Sequence, residues 1–336
     1  MATTILQDLR AVGQWLEHIG SPEACEPPLP PPVYQDRQNE FGRLFRAALR
    51  QIPGAWEDAG NYLSAMAPER PLGEFSCPYR VLIISGIFSQ CISPAVTAFA
   101  DARTHLREAH GFEAEYLDVA ALGSCEYNGR TVANYLRKHS GDGGRKYILV
   151  GYSQGAPDIQ EMLVQSPDVV SKVAALLTVS GCIGGSHLLD MLSGARFVIP
   201  APGLRIGNWE VGDGGAVNSL RPSVRRKFLE EHPDSPVPSY SIVAASTEAT
   251  TSLILRPAWR ALGERFGPQD SQMAVSDQIV PNGKLLAVAK SDHWAVAMPF
   301  ESLGDAGVNA LLDCNHFPRA ALLEAALRYV ARDLGA

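Results

Sequence analysis

The pentapeptide Gly151-Tyr152-Ser153-Gln154-Gly155 follows the apolar, β-branched run Tyr147-Ile-Leu-Val and leads directly into a helical pattern from Ala156. A strand that turns sharply through a serine into a helix lifts the hydroxyl above the sheet edge. The flanking glycines are needed because a Cβ at either position would collide with a neighbouring strand or helix. A serine held in this way is suited to attack an acyl carbon once a base takes its proton. In a chain with 30 glycines the five residues alone carry little weight. The strand before them and the helix after them supply the force of the motif.

The required base is a histidine, held in the right tautomer by a carboxylate. His293 qualifies, in Ser291-Asp-His-Trp after the apolar run Leu285-Leu-Ala-Val-Ala, because a loop at the end of that strand would carry it over the sheet. His18, His105, His110 and His139 fall on expected helices, His187 and His232 in an irregular stretch and His316 near the C-terminus, and read as surface or packing residues. A serine on such an elbow is followed in the chain first by the acid and then by the histidine. Two aspartates fit, Asp270 at 23 residues before His293 and Asp277 at 16. The longer interval leaves room for a loop and the last strand, which favours Asp270 and keeps Asp277 as the alternative. Asp292, adjacent to His293, is poorly placed to reach the imidazole. For the developing oxyanion, one donor is the Gln154 amide. The other is expected in the loop Ser85-Gly86-Ile87-Phe88, from Ile87 with Phe88 as the alternative.

The elements that must position these groups alternate. Strands are expected over 80–85, 113–117, 146–150, 173–179, 240–245 and 285–289, and helices over 95–109, 131–138, 156–165, 253–266 and 319–333. Short β-branched runs alternating with amphipathic helices specify an α/β class with a mainly parallel sheet buried on both faces. The core is read as 77–179 and 240–336. Between 180 and 239 the rhythm breaks and no convincing strand is visible, the pattern of a cap or lid insertion, where Phe197-Val-Ile-Pro-Ala-Pro and Trp209 could line a substrate pocket or form the insertion's own core. Residues 1–76 read as a helical extension, with helices over 5–19 and 38–51 separated by Pro27, Pro28, Pro30, Pro31 and Pro32. Packing on the main domain is the plain reading of this segment; homodimerisation or covering of the site stays open.

With 46% hydrophobic and 19% charged residues, the 336-residue chain can bury a large core. Its formal net charge of -7 leaves no excess of cations for a phosphate backbone, so no nucleic-acid partner is expected. The N-terminus lacks a basic region followed by an apolar stretch, and no run reaches the ~18 apolar residues of a membrane span. A soluble, cytoplasmic protein with no integral membrane segment is the expectation. Cys25, Cys77, Cys91, Cys125, Cys182 and Cys314 show no C-x-x-C pairing, which suggests no metal site and favours reduced core thiols.

From residue 79 to 333 the chain resembles bacterial lipases and esterases of the α/β-hydrolase superfamily. Two local departures stand out. Ser85-Gly86 replaces the His-Gly pair such lipases carry in the oxyanion loop, and Gln269-Asp270-Ser271 stands where they have an Asn-Asp-Gly type of sequence. The resemblance implies a serine hydrolase acting on a small-molecule or lipid ester through Ser153, His293 and an aspartate, with no metal and no organic cofactor. Thioesterases, amidases and acyltransferases use the same triad, and a non-catalytic binding protein on this fold is the remaining alternative.

Overall fold

A computed structural model describes residues 25, 30–52, 59–65, 71–87, 96–139, 144–192, 205–206, 209–304, 312, 314 and 316–336. Its strands are β1 (Gln35–Asp36), β2 (Arg80–Ile84), β3 (Ala114–Leu117), β4 (Tyr147–Tyr152), β5 (Val173–Val179), β6 (Arg205–Ile206), β7 (Trp209–Glu210), β8 (Ser239–Ala245) and β9 (Lys284–Lys290). The α-helices are α1 (Gln38–Leu49), α2 (Ala100–His110), α3 (Cys125–Lys138), α4 (Gly155–Gln165), α5 (Pro167–Val170), α6 (His187–Leu192), α7 (Ala216–Ser219), α8 (Pro222–Glu231), α9 (Arg256–Leu262) and α10 (Arg319–Asp333).

Seven strands form one sheet in the order β1-β9-β8-β5-β4-β2-β3, and every ladder in it is parallel. Successive side chains of a strand point to opposite faces, so an all-apolar strand must be covered twice. Here Val81, Ile83, Ile148, Val150, Ala175 and Leu177 enter one core with α1, α2 and α10. Leu82, Ile84, Leu149 and Leu176 enter a second core with α3 and α4. From β2 the chain moves out to β3, then returns to β4 on the other side of β2 and continues through β5, β8 and β9. That reversal opens a crevice at the carboxyl ends of β2 and β4, the usual place for a ligand in an open α/β sheet.

Several expected bounds change. The helix expected over 95–109 begins only at Ala100, because Phe99 takes a left-handed conformation (φ 57°) and its amide bonds the Ala297 carbonyl at 2.7 Å. The helix expected from 131 starts at Cys125, where Ser124 caps it by accepting from the Tyr127 amide at 3.1 Å. Gly129 obscured that start. Its lack of a side chain lets α3 approach α4 closely, since a Cβ there would lie only 3.0 Å from the Asp158 carbonyl oxygen of α4. The helix expected over 253–266 is broken into the 3-10 turn Leu253–Leu255, α9 and the 3-10 turn Gly263–Phe266, with Gly263 at φ 55°.

The N-terminal segment contributes a strand as well as a helix. β1 pairs with β9 in parallel, Gln35 opposite Lys284, and α1 then packs on α10. Two residues cannot display an alternating pattern, and their pairing is decided by the free edge of β9. Between 180 and 239 there is also a short antiparallel ribbon, β6 with β7. This stretch is rooted in the core: Ser124 donates its amide and hydroxyl to Asp213, both at 2.7 Å, and the buried Arg225 of α8 bonds Gln160 (2.6 Å) and the Ile183 carbonyl (3.2 Å). The 197–202 segment lies outside the described residues. Cys25, Cys77, Cys125 and Cys182 are free thiols, and Cys91 is outside the described set. Among the described residues, no helix is long and apolar enough to cross a membrane.

Candidate active site

Ser153 follows the last residue of β4 with φ 54°, a left-handed conformation that non-glycine residues adopt only at a local energetic cost. The turn is locked by its neighbours. The Cys182 and Ala156 amides bond the Ser153 carbonyl at 3.0 and 3.3 Å, and the Ser153 amide bonds the Val179 carbonyl at 3.3 Å. A Cβ on Gly151 would fall 2.6 Å from the Ala156 Cα, and one on Gly155 would strike the carbonyl oxygens of Ile84 and Ser85. Both glycines of the motif are therefore sterically required.

The loop between β9 and the C-terminal region brings His293 over the same edge. Its Nε2 lies 3.0 Å from Ser153 Oγ, and its Nδ1 lies 2.8 Å from Asp270 Oδ2. Asp270 is fully buried and saturated: Oδ1 accepts the Gln272 and Met273 amides at 2.9 Å each, Oδ2 accepts the Ser180 hydroxyl at 3.1 Å, and its carbonyl accepts the His293 amide at 2.7 Å. The bond to the His293 amide holds acid and base loops together irrespective of the side chains.

Two further residues hold the imidazole or its loop, Tyr152, given no role from the sequence, and Asp292, weighed there only as an acid. Tyr152 stacks on the imidazole (ring centroids 5.3 Å apart, planes 27° apart) and donates its hydroxyl to the His293 carbonyl at 2.9 Å. Burial pushes the Tyr152 phenol well above its ordinary range, so it stays a donor. Asp292 accepts the Ser252 amide (2.7 Å) and hydroxyl (2.6 Å) and the Trp294 and Ala295 amides (3.0 and 2.8 Å), which pins the loop of its neighbour. The x in Gly-x-Ser being aromatic was the one sequence signal for Tyr152; nothing marked Ser252.

The other aspartate goes elsewhere. Asp277, on the 3-10 turn Val275–Gln278, faces His187, whose Nε2 lies 3.5 Å from its Oδ2. Gly184 presses on it, and a Cβ there would meet Asp277 Oδ1 at 2.7 Å.

Gly86 ends against the nucleophile: a Cβ on it would lie 2.7 Å from Ser153 Cβ and 3.0 Å from Oγ. The half-buried Ile87 follows directly, and Phe88 lies outside the described residues. Gln154 stands at the N-terminus of α4 with its side-chain amide anchored on the Gly123 carbonyl at 2.7 Å.

Fold and site together define an α/β protein with a Ser–His–Asp hydrogen-bonded chain at the switch point of its sheet. The structure is similar to that of the metagenomic carboxyl esterase MGS0156, with a TM-score of 0.80 and 30% identity over 93% of this chain and 98% of that one. It also shares its fold with the mature lipase BlEst2 of Bacillus licheniformis, at a TM-score of 0.51 and 22% identity over 67% of this chain and 88% of that one. No protein-family model and no curated protein sequence matches the chain. The chain belongs to the α/β-hydrolase superfamily.

Proposed function

We propose that the protein is a serine carboxylic-ester hydrolase working through an acyl-enzyme on Ser153. The observation that carries this reading is the continuous chain from Asp270 through His293 to Ser153, with bonds of 2.8 and 3.0 Å. His293 Nε2 takes the hydroxyl proton as Ser153 Oγ bonds the ester carbonyl carbon. The proton then passes to the departing alcohol as the ester C–O bond breaks. A water, deprotonated by the same nitrogen, attacks the acyl-serine and releases the carboxylic acid, returning the proton to Ser153. Asp270 accepts from Nδ1 throughout and stabilises the imidazolium.

The tetrahedral oxyanion rests on the amides of Gln154 and Ile87. The position of Gln154 at the start of α4 adds the helix dipole, and Gly86 allows the second loop to close on Ser153. The described relative being a carboxyl esterase at 30% identity supports an ester as the substrate class. The 180–239 stretch, rooted on α4 and on the loop before α3, serves as the cap that shapes the acyl pocket.

The test is hydrolysis of p-nitrophenyl acyl esters by the wild type and Ser153→Ala. Loss of the nucleophile is expected to lower kcat by ~10⁶ while the variant remains folded. A Ser153→Ala protein that keeps wild-type activity would overturn the assignment.

A further inference from the structure

We propose that His105, His110 and Glu324 form a binding site for one divalent transition-metal ion of the zinc class. The site is built from α2 and α10 and shares no residue with the Ser153 centre. His110 ends α2 shortly before β3 begins, so the trio sits toward the amino ends of the strands, whereas Ser153 lies at their carboxyl ends.

Three ligand atoms converge. The Nε2 of His105 lies 2.8 Å and that of His110 3.2 Å from the same oxygen, Glu324 Oε2, and all three atoms fall within 4.8 Å of one another. Ligands around a tetrahedral zinc, each at about 2.0–2.2 Å, are spaced by roughly 3.3 Å, so only small side-chain adjustments separate this cluster from a coordination shell. The two imidazole planes stand 89° apart and approach from different directions, as ligands do, instead of stacking.

The cluster is also incompletely satisfied without a cation. His110 Nε2 is buried and, although 3.2 Å from Glu324 Oε2, makes no hydrogen bond of good geometry. Glu324 has no exposed surface. Its two carboxylate oxygens face cationic or imidazole groups on both sides, His105 and His110 at Oε2 and Arg328 at Oε1. Arg328 occupies the other oxygen, Oε1, at 2.8 Å, and is itself fixed by the Gly73 and Glu74 carbonyls at 3.0 and 3.2 Å. A ligating carboxylate is commonly oriented in this way by an outer partner. Phe75 stacks on His110 with centroids 4.9 Å apart and fixes that ring.

Two imidazoles and one carboxylate suit zinc, nickel or cobalt, whereas calcium and magnesium ask for oxygen ligands. The histidine side chains keep 16% and 14% exposure, enough to admit an ion and a water as fourth ligand. Bound metal would tie the last turn of α2 to the middle of α10.

The test uses the full chain after chelation and dialysis, titrated with Zn²⁺ by calorimetry and followed by thermal unfolding. One equivalent is expected to bind at micromolar concentration and to raise Tm by several degrees, since a ligand specific to the native state stabilises it. His105→Gln and His110→Gln should each weaken binding at least ten-fold and abolish the Tm rise. Their metal-free far-UV spectra should match the wild type, which separates lost coordination from misfolding. Absence of binding to the wild type, or binding unchanged in both variants, would overturn the proposal.

Discussion

Two histidine–aspartate pairs are buried near the carboxyl end of the sheet, and they differ in how each member is held. In one, His293 and Asp270 are 2.8 Å apart, the second carboxylate oxygen takes two amides, and the far imidazole nitrogen meets Ser153. In the other, His187 and Asp277 stand 3.5 Å apart, and neither His187 Nδ1 nor Asp277 Oδ2 has a hydrogen-bond partner. The second imidazole is held by stacking on Phe266, with centroids 4.4 Å apart. A carboxylate orients a base only when its own lone pairs are already committed and its backbone is tied to the base. Asp270 meets both conditions through Gln272, Met273 and the His293 amide, while Asp277 is a packing element between Gly184 and His187.

The largest effect that would sharpen this contrast is expected from Asp270→Asn. An asparagine donates where an acceptor is needed and favours the wrong tautomer, so kcat for ester hydrolysis should fall by ~10⁴ with the fold retained by circular dichroism. Near-wild-type turnover would break the contrast. Next comes Tyr152→Phe, which keeps the stack on His293 and removes the 2.9 Å bond to its carbonyl. A displaced base should cost about ten-fold in kcat with KM little changed, since one hydrogen bond is worth about 1–1.5 kcal/mol. An unchanged kcat would show that the stack alone positions the imidazole.

Asp277→Asn should act on stability instead. A loss of about 1 kcal/mol, a few degrees in Tm, is expected, with kcat/KM within about three-fold of wild type. A third buried carboxylate supplies the smallest test. Asp158 lies behind the elbow on α4, and burial raises its pKa well above the ordinary value despite bonds from Cys125, Asn128 and Gln154. The unfolded chain ionises near pH 4, whereas the native protein holds the proton to higher pH, so stability falls as pH rises above the unfolded value. Asp158→Asn lacks that linkage. Its Tm relative to wild type should therefore be higher at pH 8 than at pH 5, and a pH-independent difference would contradict the assignment.

What could be read from the chain was what is local or ordered along it. The elbow is five residues between a strand and a helix, and β5 and α10 coincide with their expected bounds because each is one uninterrupted periodic run. The choice between Asp270 and Asp277 rested on interval alone. The physical discriminator, the Gln272 and Met273 amides folded back onto one carboxylate by Ser271 at φ 83°, left no pattern in the sequence. β1 was invisible because its two residues pair only where β9 leaves an edge free. The His105–His110–Glu324 cluster joins residues 219 positions apart, and the two histidines are five apart on α2, a spacing that does not place them on one face of a regular helix.

The most direct measurement is the site and rate of covalent labelling by a fluorophosphonate, mapped by mass spectrometry, in the wild type, Asp270→Asn and Asp277→Asn. The reagent reports the nucleophile and the base that activates it without any assumption about substrate. One adduct on Ser153 is expected, formed at wild-type rate in Asp277→Asn and orders of magnitude more slowly in Asp270→Asn. An adduct on another residue, or equal slowing in the two aspartate variants, would contradict the account.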